Sequence, residues 1–171
     1  MDPSEALSAG AQIAATLAGF TGVVVVFGRG AIHEWPLVDR FRLRLMLLFS
    51  VLPLVLSLFG LLILAIGPPA HLVWRICSAA AALLLLAGGL YALHGFLTFR
   101  PKQFAAEGGA MAVFFIVVGA GGGSLLLQIW NAGAWGVFWP FFLAIVLSMG
   151  SAVLQFVRLI VSRPVGAPPA P

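Results

Sequence analysis

The segment AMAVFFIVVGAGGGSLLLQIWN, residues 110–131, decides the fold class of this chain. Its two apolar runs flank a glycine-rich centre, an order that fits either a strand, phosphate loop and helix or one continuous membrane helix. A dinucleotide fingerprint needs an acidic residue about 20 positions later to bind the ribose, and a Walker loop needs a lysine. No Asp or Glu occurs after Glu107, and no Lys follows these glycines. The sequence therefore favours one helix in lipid.

The composition extends this interpretation to the whole chain. Of the 171 residues, 62% are hydrophobic and only 8% are charged, and the mean hydropathy is +1.13. A soluble domain carries about 25% charged residues, and one helical crossing of a bilayer takes about 20 residues. Most of the chain is therefore needed for crossings. The single cysteine, Cys77, excludes an internal disulfide and a cysteine-based metal cluster, and we predict no cofactor and no metal.

Apolar runs long enough to cross a membrane occur at residues 7–28, 42–66, 72–98, 106–129 and 135–161. Turn residues separate them, including Gly-Pro-Pro at 67–69 and Asn-Ala-Gly at 131–133. The second helix is expected to begin early, with Pro36 near its first helical position. We predict an all-α integral membrane helical bundle with five transmembrane helices. It forms one domain over residues 1–162, and a disordered Pro-rich tail follows at 163–171.

Basic residues predict the orientation of these helices. With five spans, eight of the nine Lys and Arg residues lie on one side, and only Arg75 lies on the other. The positive-inside rule then places the N-terminus outside and the C-terminus in the cytoplasm. Trp74, Trp130, Trp135 and Trp139 fall at the outer ends, where indole rings favour the head-group level. The composition is compatible with a GC-rich bacterium, so we expect a multi-pass protein of a bacterial inner membrane.

The cytoplasmic ends of the spans carry a predicted basic rim that consists of Arg40, Arg42, Arg44, Arg100, Lys102 and Arg158. Each basic group near an anionic membrane surface contributes about 1 kcal/mol, so anionic lipid head groups are the expected partners. A cytoplasmic protein or an anionic ligand is the alternative partner. Nucleic acid is not expected, because these residues are explained by topology rather than by an exposed basic face.

Small residues at helical spacing predict close packing of the first and fourth spans. The candidates are Ala11, Ala15, Gly19, Gly22, Gly119 and Gly123. Small side chains let helix backbones approach closely in lipid, and Gly119 with Gly123 forms a GxxxG pair. We expect these two spans to make the closest contacts, within one chain or between subunits. A homo-oligomer, or a complex with another membrane or cytoplasmic protein, is therefore predicted.

Polar side chains at helical spacing define a possible polar path along Tyr91, His94, Ser124, Gln128, Ser148, Ser151 and Gln155. Either these groups form interhelical hydrogen bonds, at about 0.6 kcal/mol each, or they line a passage for a solute. No Asp, Glu, Lys or Arg lies in the middle of a predicted span, whereas ion-coupled carriers keep an ionisable residue there. A small oligomeric channel or passive facilitator is the alternative function.

A membrane-embedded serine hydrolase is excluded, and an enzyme that acts on lipid through His33, Glu34 and His94 is only the third alternative function. Ser124 and His94 should differ in membrane depth by about 20 Å at 1.5 Å per residue, which exceeds hydrogen-bond reach. His33 and Glu34 are adjacent, and no zinc-type HExxH motif follows them. We predict no catalytic residue and a non-catalytic membrane component that self-associates or binds a partner.

Overall fold

The computed structural model describes residues 2–26, 37–98 and 110–161 of the chain. All regular structure in these ranges is helical, and five helices are long and apolar enough to cross a membrane. They are α1 (Pro3–Val26), α2 (Leu37–Ile66), α3 (Ala70–Thr98), α4 (Ala110–Trp130) and α5 (Phe138–Val161). A five-residue π-helical turn, Asn131–Trp135, continues α4. For the described residues, the predicted all-α class and the five candidate spans are confirmed.

Helix α1 begins at Pro3, earlier than the predicted start at residue 7. The Asp2 carboxylate caps it by accepting hydrogen bonds from the Ser4 hydroxyl at 2.8 Å and the Ser4 backbone N–H at 3.1 Å. These two bonds, the hydroxyl bond above all, lower the pKa of Asp2 below its usual value. Pro3 suits the first helical position, and Glu5 lies in the first turn, where negative charge favours the helix dipole. Hydropathy alone missed this polar start.

Helices α2 and α3 are joined by the predicted Gly-Pro-Pro turn at 67–69. Gly67 adopts a left-handed φ of 77°, and its N–H donates to the Leu64 carbonyl at 3.1 Å. This geometry ends α2 in the usual way for a glycine after a helix. The Pro69 carbonyl then accepts the first bonds of α3, from the N–H groups of Leu72 and Val73.

The connection between α4 and α5 differs from the prediction. The predicted break at 131–133 is wrong, because the chain stays helical through Trp135, and the predicted fifth span starts at Phe138 instead of 135. The Gly136 N–H donates to the Asn131 carbonyl at 2.9 Å, and Gly136 takes a φ of 64°. A Cβ at Gly136 would lie 2.6 Å from the His71 carbonyl oxygen. Gly136 therefore makes the turn, and Asn-Ala-Gly does not.

We call the end of the bundle that holds the turns at 67–69 and 131–137 the turn end, and the opposite end the loop end. Helix α2 packs against α1, α3 and α5, while α4 packs against α3 and α5. The main core lies toward the turn end and consists of Leu7, Leu52, Leu56, Val73, Trp74, Cys77, Ala81, Phe141 and Ile145. A smaller cluster of Phe41, Leu45 and Ala92 joins α2 to α3 near the loop end.

The glycines that permit close packing are not the predicted ones. A Cβ on Gly60 of α2 would lie 2.8 Å from Leu7 Cδ1 and 3.1 Å from Phe141 Cε1, and a Cβ on Gly10 of α1 would lie 3.1 Å from Ser57 Oγ. These contacts bring α1, α2 and α5 together. Within one chain, the main neighbours of α1 are thus α2 and α5, and α4 is not one of them.

The predicted packing residues occupy more open positions. Ala11 is half-buried and Ala15 is exposed. A Cβ on Gly19, Gly22, Gly119 or Gly123 would meet no atom within 4 Å. The expectation that spans one and four make the closest contacts inside one chain is therefore wrong, and their contact between subunits stays a prediction.

Several predictions fall on parts of the chain outside the described residues. They include the tail at 163–171, Pro36 in the first loop, and Arg100 and Lys102 of the basic rim. The early start of the second helix is nevertheless seen, because α2 already begins at Leu37, ahead of the apolar run at 42.

Candidate functional site

Asn131 forms a buried polar site at the turn end. Its side chain is fully buried. The Nδ2 group donates to Ser78 Oγ of α3 at 2.7 Å and to the Val137 carbonyl at 2.9 Å, while Oδ1 accepts from the Val137 N–H at 3.0 Å. One amide thereby joins α4, α3 and the start of α5, which indicates a structural role.

Gln128 lies one turn before Asn131 on the same buried face of α4. Its Nε2 donates to the Pro140 carbonyl of α5 at 2.6 Å, and its Oε1 has no hydrogen-bond partner among the described residues. Ser124, one further turn along, is buried, and its Oγ likewise has no partner there. The Ser124 hydroxyl is thus bonded to no base in the described structure, and His94 is exposed on α3.

The remaining residues of the predicted polar path divide between exposed and buried positions. Ser148 Oγ donates to the Ala144 carbonyl at 2.8 Å, and Ser151 Oγ donates to the Leu147 carbonyl at 2.9 Å. Such bonds to the preceding turn satisfy a hydroxyl within its own helix. Tyr91 is exposed on α3. Within one chain, the residues of the predicted polar path therefore lie in several separate environments.

A cleft of about 260 Å³ opens at the loop end between α2, α3, α4 and α5. Its walls are built almost wholly from Leu, Phe, Val, Ala and Gly side chains, and the polar groups among its lining residues are Gln155 and Arg158. The cleft lies beside the Phe41 cluster, and Leu52 of the main core also lines it. Among the described residues, the bundle is thus closely packed toward the turn end and more open toward the loop end.

Paired glycines on two facing helices make this space. Gly88 and Gly89 of α3 and Gly121 and Gly122 of α4 all line the cleft. A Cβ on Gly89, Gly121 or Gly122 would meet no atom within 4 Å, and a Cβ on Gly88 would only touch Leu48 at 3.5 Å. The helices therefore do not use these glycines to approach each other. The missing side chains leave a gap instead.

The polar end of the cleft is formed by α5. Gln155 is only 6% exposed, and its Oε1 has no hydrogen-bond partner within the described part of the chain. Arg158 follows three residues later and is half-buried, and residues at this spacing are neighbours on a helix. Gln155 belongs to the predicted polar path and Arg158 to the predicted basic rim, and the sequence already places both on one face of the fifth span. The structure adds that both line one cleft. The Gly-Gly pairs at 88–89 and 121–122 are the feature of the sequence that could have predicted the walls of the cleft.

The described members of the basic rim lie at the loop end. Arg40, Arg42 and Arg44 belong to the first turns of α2, and Arg44 is exposed. Arg40 is half-buried, and its Nε has no hydrogen-bond partner in the described structure. At the turn end, Arg75 Nη2 donates to the Ala134 carbonyl at 3.1 Å, where a cation suits the last carbonyls of a helix.

The tryptophans of the described residues gather at the turn end, as predicted. Trp130, Trp135 and Trp139 are exposed there, and the Trp135 ring centroid lies 6.4 Å from that of Trp130 and 6.1 Å from that of Trp139. Trp74 instead faces the core, with its ring centroid 4.7 Å from that of Phe138. Only three of the four therefore have the outward position expected of a head-group anchor.

Helix α4 presents a third, outward face besides the buried polar face and the cleft. Phe115, Gly119, Gly123 and Leu126 follow one another on this face, and all are exposed. The two glycines have no neighbour within 4 Å of a Cβ position. We call these four residues the outward face of α4.

No family model, curated protein or solved structure matches this chain. Within residues 2–26, 37–98 and 110–161, no group of three His, Cys, Asp or Glu side chains is placed to hold a metal ion.

Proposed function

We propose that this chain is a non-catalytic, multi-pass protein of a bacterial inner membrane that self-associates through the outward face of α4. In this proposal the loop end lies in the cytoplasm, and the N-terminus lies outside. Five apolar helices support the membrane assignment.

The distribution of charge supports the orientation. Asp2 and Glu5 lie at the turn end, where α1 begins, while Arg40, Arg44 and Arg158 lie at the loop end. Basic residues favour the cytoplasmic side of a membrane. The exposed tryptophan group at the turn end fits the opposite interface, because indole rings favour the head-group level.

The observation that carries self-association is the open environment of Gly119 and Gly123. A glycine in a helix interior costs about 1 kcal/mol relative to alanine, and in membrane proteins close helix contact offsets this cost. No such contact is made at these two glycines inside the described chain. A second copy of α4 would supply it, because a GxxxG face lets two backbones approach.

The test is the mass of the particle in a mild detergent and the yield of cross-linked dimer in lipid vesicles. We expect the wild type to be a dimer or larger. The double substitution Gly119→Leu and Gly123→Leu should give a monomer, because leucine side chains keep the helices apart. Gly150→Leu is the matched control, since Gly150 of α5 also has no neighbour within 4 Å. A monomeric wild type, or an oligomer unchanged by the double substitution, would refute the proposal.

An oligomeric channel or passive facilitator is the second candidate. The unpartnered Ser124 Oγ and Gln128 Oε1 favour it, because a water-filled path would hydrate them. The bonds of Gln128 to Pro140, and of Ser148 and Ser151 to their own helix, weigh against it. We expect vesicles that contain the protein to pass small ions and neutral solutes no faster than empty vesicles. Flux that rises with protein content would favour the channel over the first proposal.

A further inference from the structure

We propose that the cleft at the loop end binds a compact, uncharged apolar alcohol of about ten carbon atoms. The hydrocarbon body of this ligand lies deep in the cleft, and its hydroxyl group donates a hydrogen bond to Gln155. The inference goes beyond the proposed function, and it depends neither on self-association through α4 nor on the orientation of the chain in the membrane.

The cleft is a space that the bundle itself leaves unfilled. Gly89, Gly121 and Gly122 line it, and a Cβ on any of them would meet no atom within 4 Å. Atoms that border an unfilled space lose van der Waals contacts, because they have no partner on one side. A ligand in the cleft would supply these contacts, and larger side chains at the three glycines would leave no room for it.

The volume of the cleft sets the size of the ligand. An engineered apolar cavity of about 150 Å³ binds benzene, a ring of six carbon atoms, which is about 25 Å³ per carbon. On this scale the cleft of about 260 Å³ holds about ten carbon atoms. An acyl chain of about sixteen carbon atoms would need about 400 Å³ by the same measure, so a whole chain does not fit.

The lining residues set the chemistry of the ligand. Apart from Gln155 and Arg158, they are Leu, Phe, Val, Ala and Gly, so a charged or strongly polar ligand would lose its hydration there without compensation. Arg158 already takes part in an interaction within the protein, and the proposed site does not depend on it.

Gln155 adds one polar requirement. Its side chain is buried, and its Oε1 atom has no hydrogen-bond partner among the described residues. This atom accepts hydrogen bonds and does not donate them, and a buried acceptor without a donor is unfavourable. A ligand with a single donor satisfies it, and a hydroxyl group is such a donor.

The order of the lining residues gives the orientation of the ligand. Leu52, Leu85 and Leu125 are the lining residues of α2, α3 and α4 that lie nearest the turn end, so they form the bottom of the cleft. Helix α5 ends at Val161, and Gln155 lies about 9 Å from that end at 1.5 Å per residue, toward the mouth of the cleft. The apolar body therefore packs on the leucines, and the hydroxyl lies nearer the mouth.

The test compares three probes of similar size by equilibrium dialysis of the full chain in lipid nanodiscs, with empty nanodiscs as the control for partition into lipid. The compound 2-naphthol has a ten-carbon ring system and a hydroxyl donor, 2-methoxynaphthalene has the oxygen without a donor, and naphthalene has neither. After correction for partition, we expect one saturable site per chain. We expect 2-naphthol to bind about three- to tenfold more tightly than the other two probes, as is typical of one hydrogen bond in a membrane bundle or to a buried group.

Substitutions assign this preference to one side chain. Gln155→Leu should keep the binding of naphthalene but abolish the preference for 2-naphthol, because leucine is similar in size to glutamine and has no acceptor. Gly121→Leu should weaken the binding of all three probes, because leucine fills the cleft. Gly150→Leu should weaken none, because Gly150 does not line the cleft.

Equal binding of the three probes to the wild type, or the absence of a saturable site, overturns the inference whether or not any variant folds. A preference for 2-naphthol that survives in Gln155→Leu also overturns it. So does displacement of 2-naphthol by an equal concentration of 1-hexadecanol, because the occupant would then be a long lipid chain. Gly119→Leu with Gly123→Leu should leave probe binding unchanged, because neither glycine lines the cleft. This inference and the proposed self-association can therefore fail separately.

Discussion

Replacement of Asn131 by alanine tests whether one buried amide holds the turn end together. The substitution removes the hydrogen bonds to Ser78 Oγ and to both backbone groups of Val137. Polar contacts in membrane bundles average about 0.6 kcal/mol each, so three of them amount to about 2 kcal/mol. The buried Ser78 hydroxyl loses its hydrogen-bond donor, which costs at least about 1 kcal/mol more. We therefore expect a loss of about 3 kcal/mol.

The assay is reversible unfolding in mixed micelles with increasing sodium dodecyl sulfate, followed by circular dichroism. Ser151→Ala is the matched control, because within residues 2–26, 37–98 and 110–161 the Ser151 hydroxyl is bonded only to the Leu147 carbonyl of its own helix. Its effect should stay below about 0.5 kcal/mol, as is usual for a site away from buried networks. If Asn131→Ala destabilises the protein no more than Ser151→Ala, the assigned role of Asn131 is wrong.

Three further outcomes are expected. Gly136→Ala should destabilise the chain by at least about 2 kcal/mol in the same micelle titration, because a Cβ in the left-handed region is strained and would lie 2.6 Å from the His71 carbonyl oxygen. Gly60→Leu should push α1 at Leu7 and α5 at Phe141 away from α2 and lower the unfolding midpoint, whereas the same change at an open glycine should not. Asp2 has a lowered pKa in the folded chain, so its capping stabilises the folded state above the unfolded pKa and is lost as pH falls through the folded pKa. The protection factors of amides in the first turn of α1, corrected for the intrinsic exchange rate at each pH, should fall over that acidic range, and Asp2→Ala should remove this pH dependence.

Hydropathy was sufficient to predict the helices, but local capping chemistry set their ends. The apolar runs are long enough that only a helix satisfies the backbone within them, and all five appear in the structure. The start of α1 at Pro3 depends on the Asp2 cap, which no average over apolar residues detects. The helical turn that continues α4 ends at Gly136. Asn131 has the polarity of a loop residue, so the sequence predicts a break there, but its side chain is buried inside the bundle.

The sequence does not predict which glycines lie in close helix contacts, because this depends on which helices become neighbours. Gly60 is in close contact because Leu7 and Phe141 arrive beside it from two other helices. Gly119 belongs to a well-known packing motif, yet nothing in the described chain approaches it. A GxxxG motif shows that a helix can pack closely against another helix. Which helix it packs against depends on the arrangement of the whole bundle.

The cleft shows the same division between local and tertiary information. The sequence by itself determined that Gln155 and Arg158 share a face of one helix, because the helical repeat brings residues three apart together. Only the tertiary structure decided that this face meets the Gly-Gly pairs of α3 and α4. Helical periodicity acts within a few residues of the chain, whereas a cavity exists only where separate helices surround a volume that none of them fills.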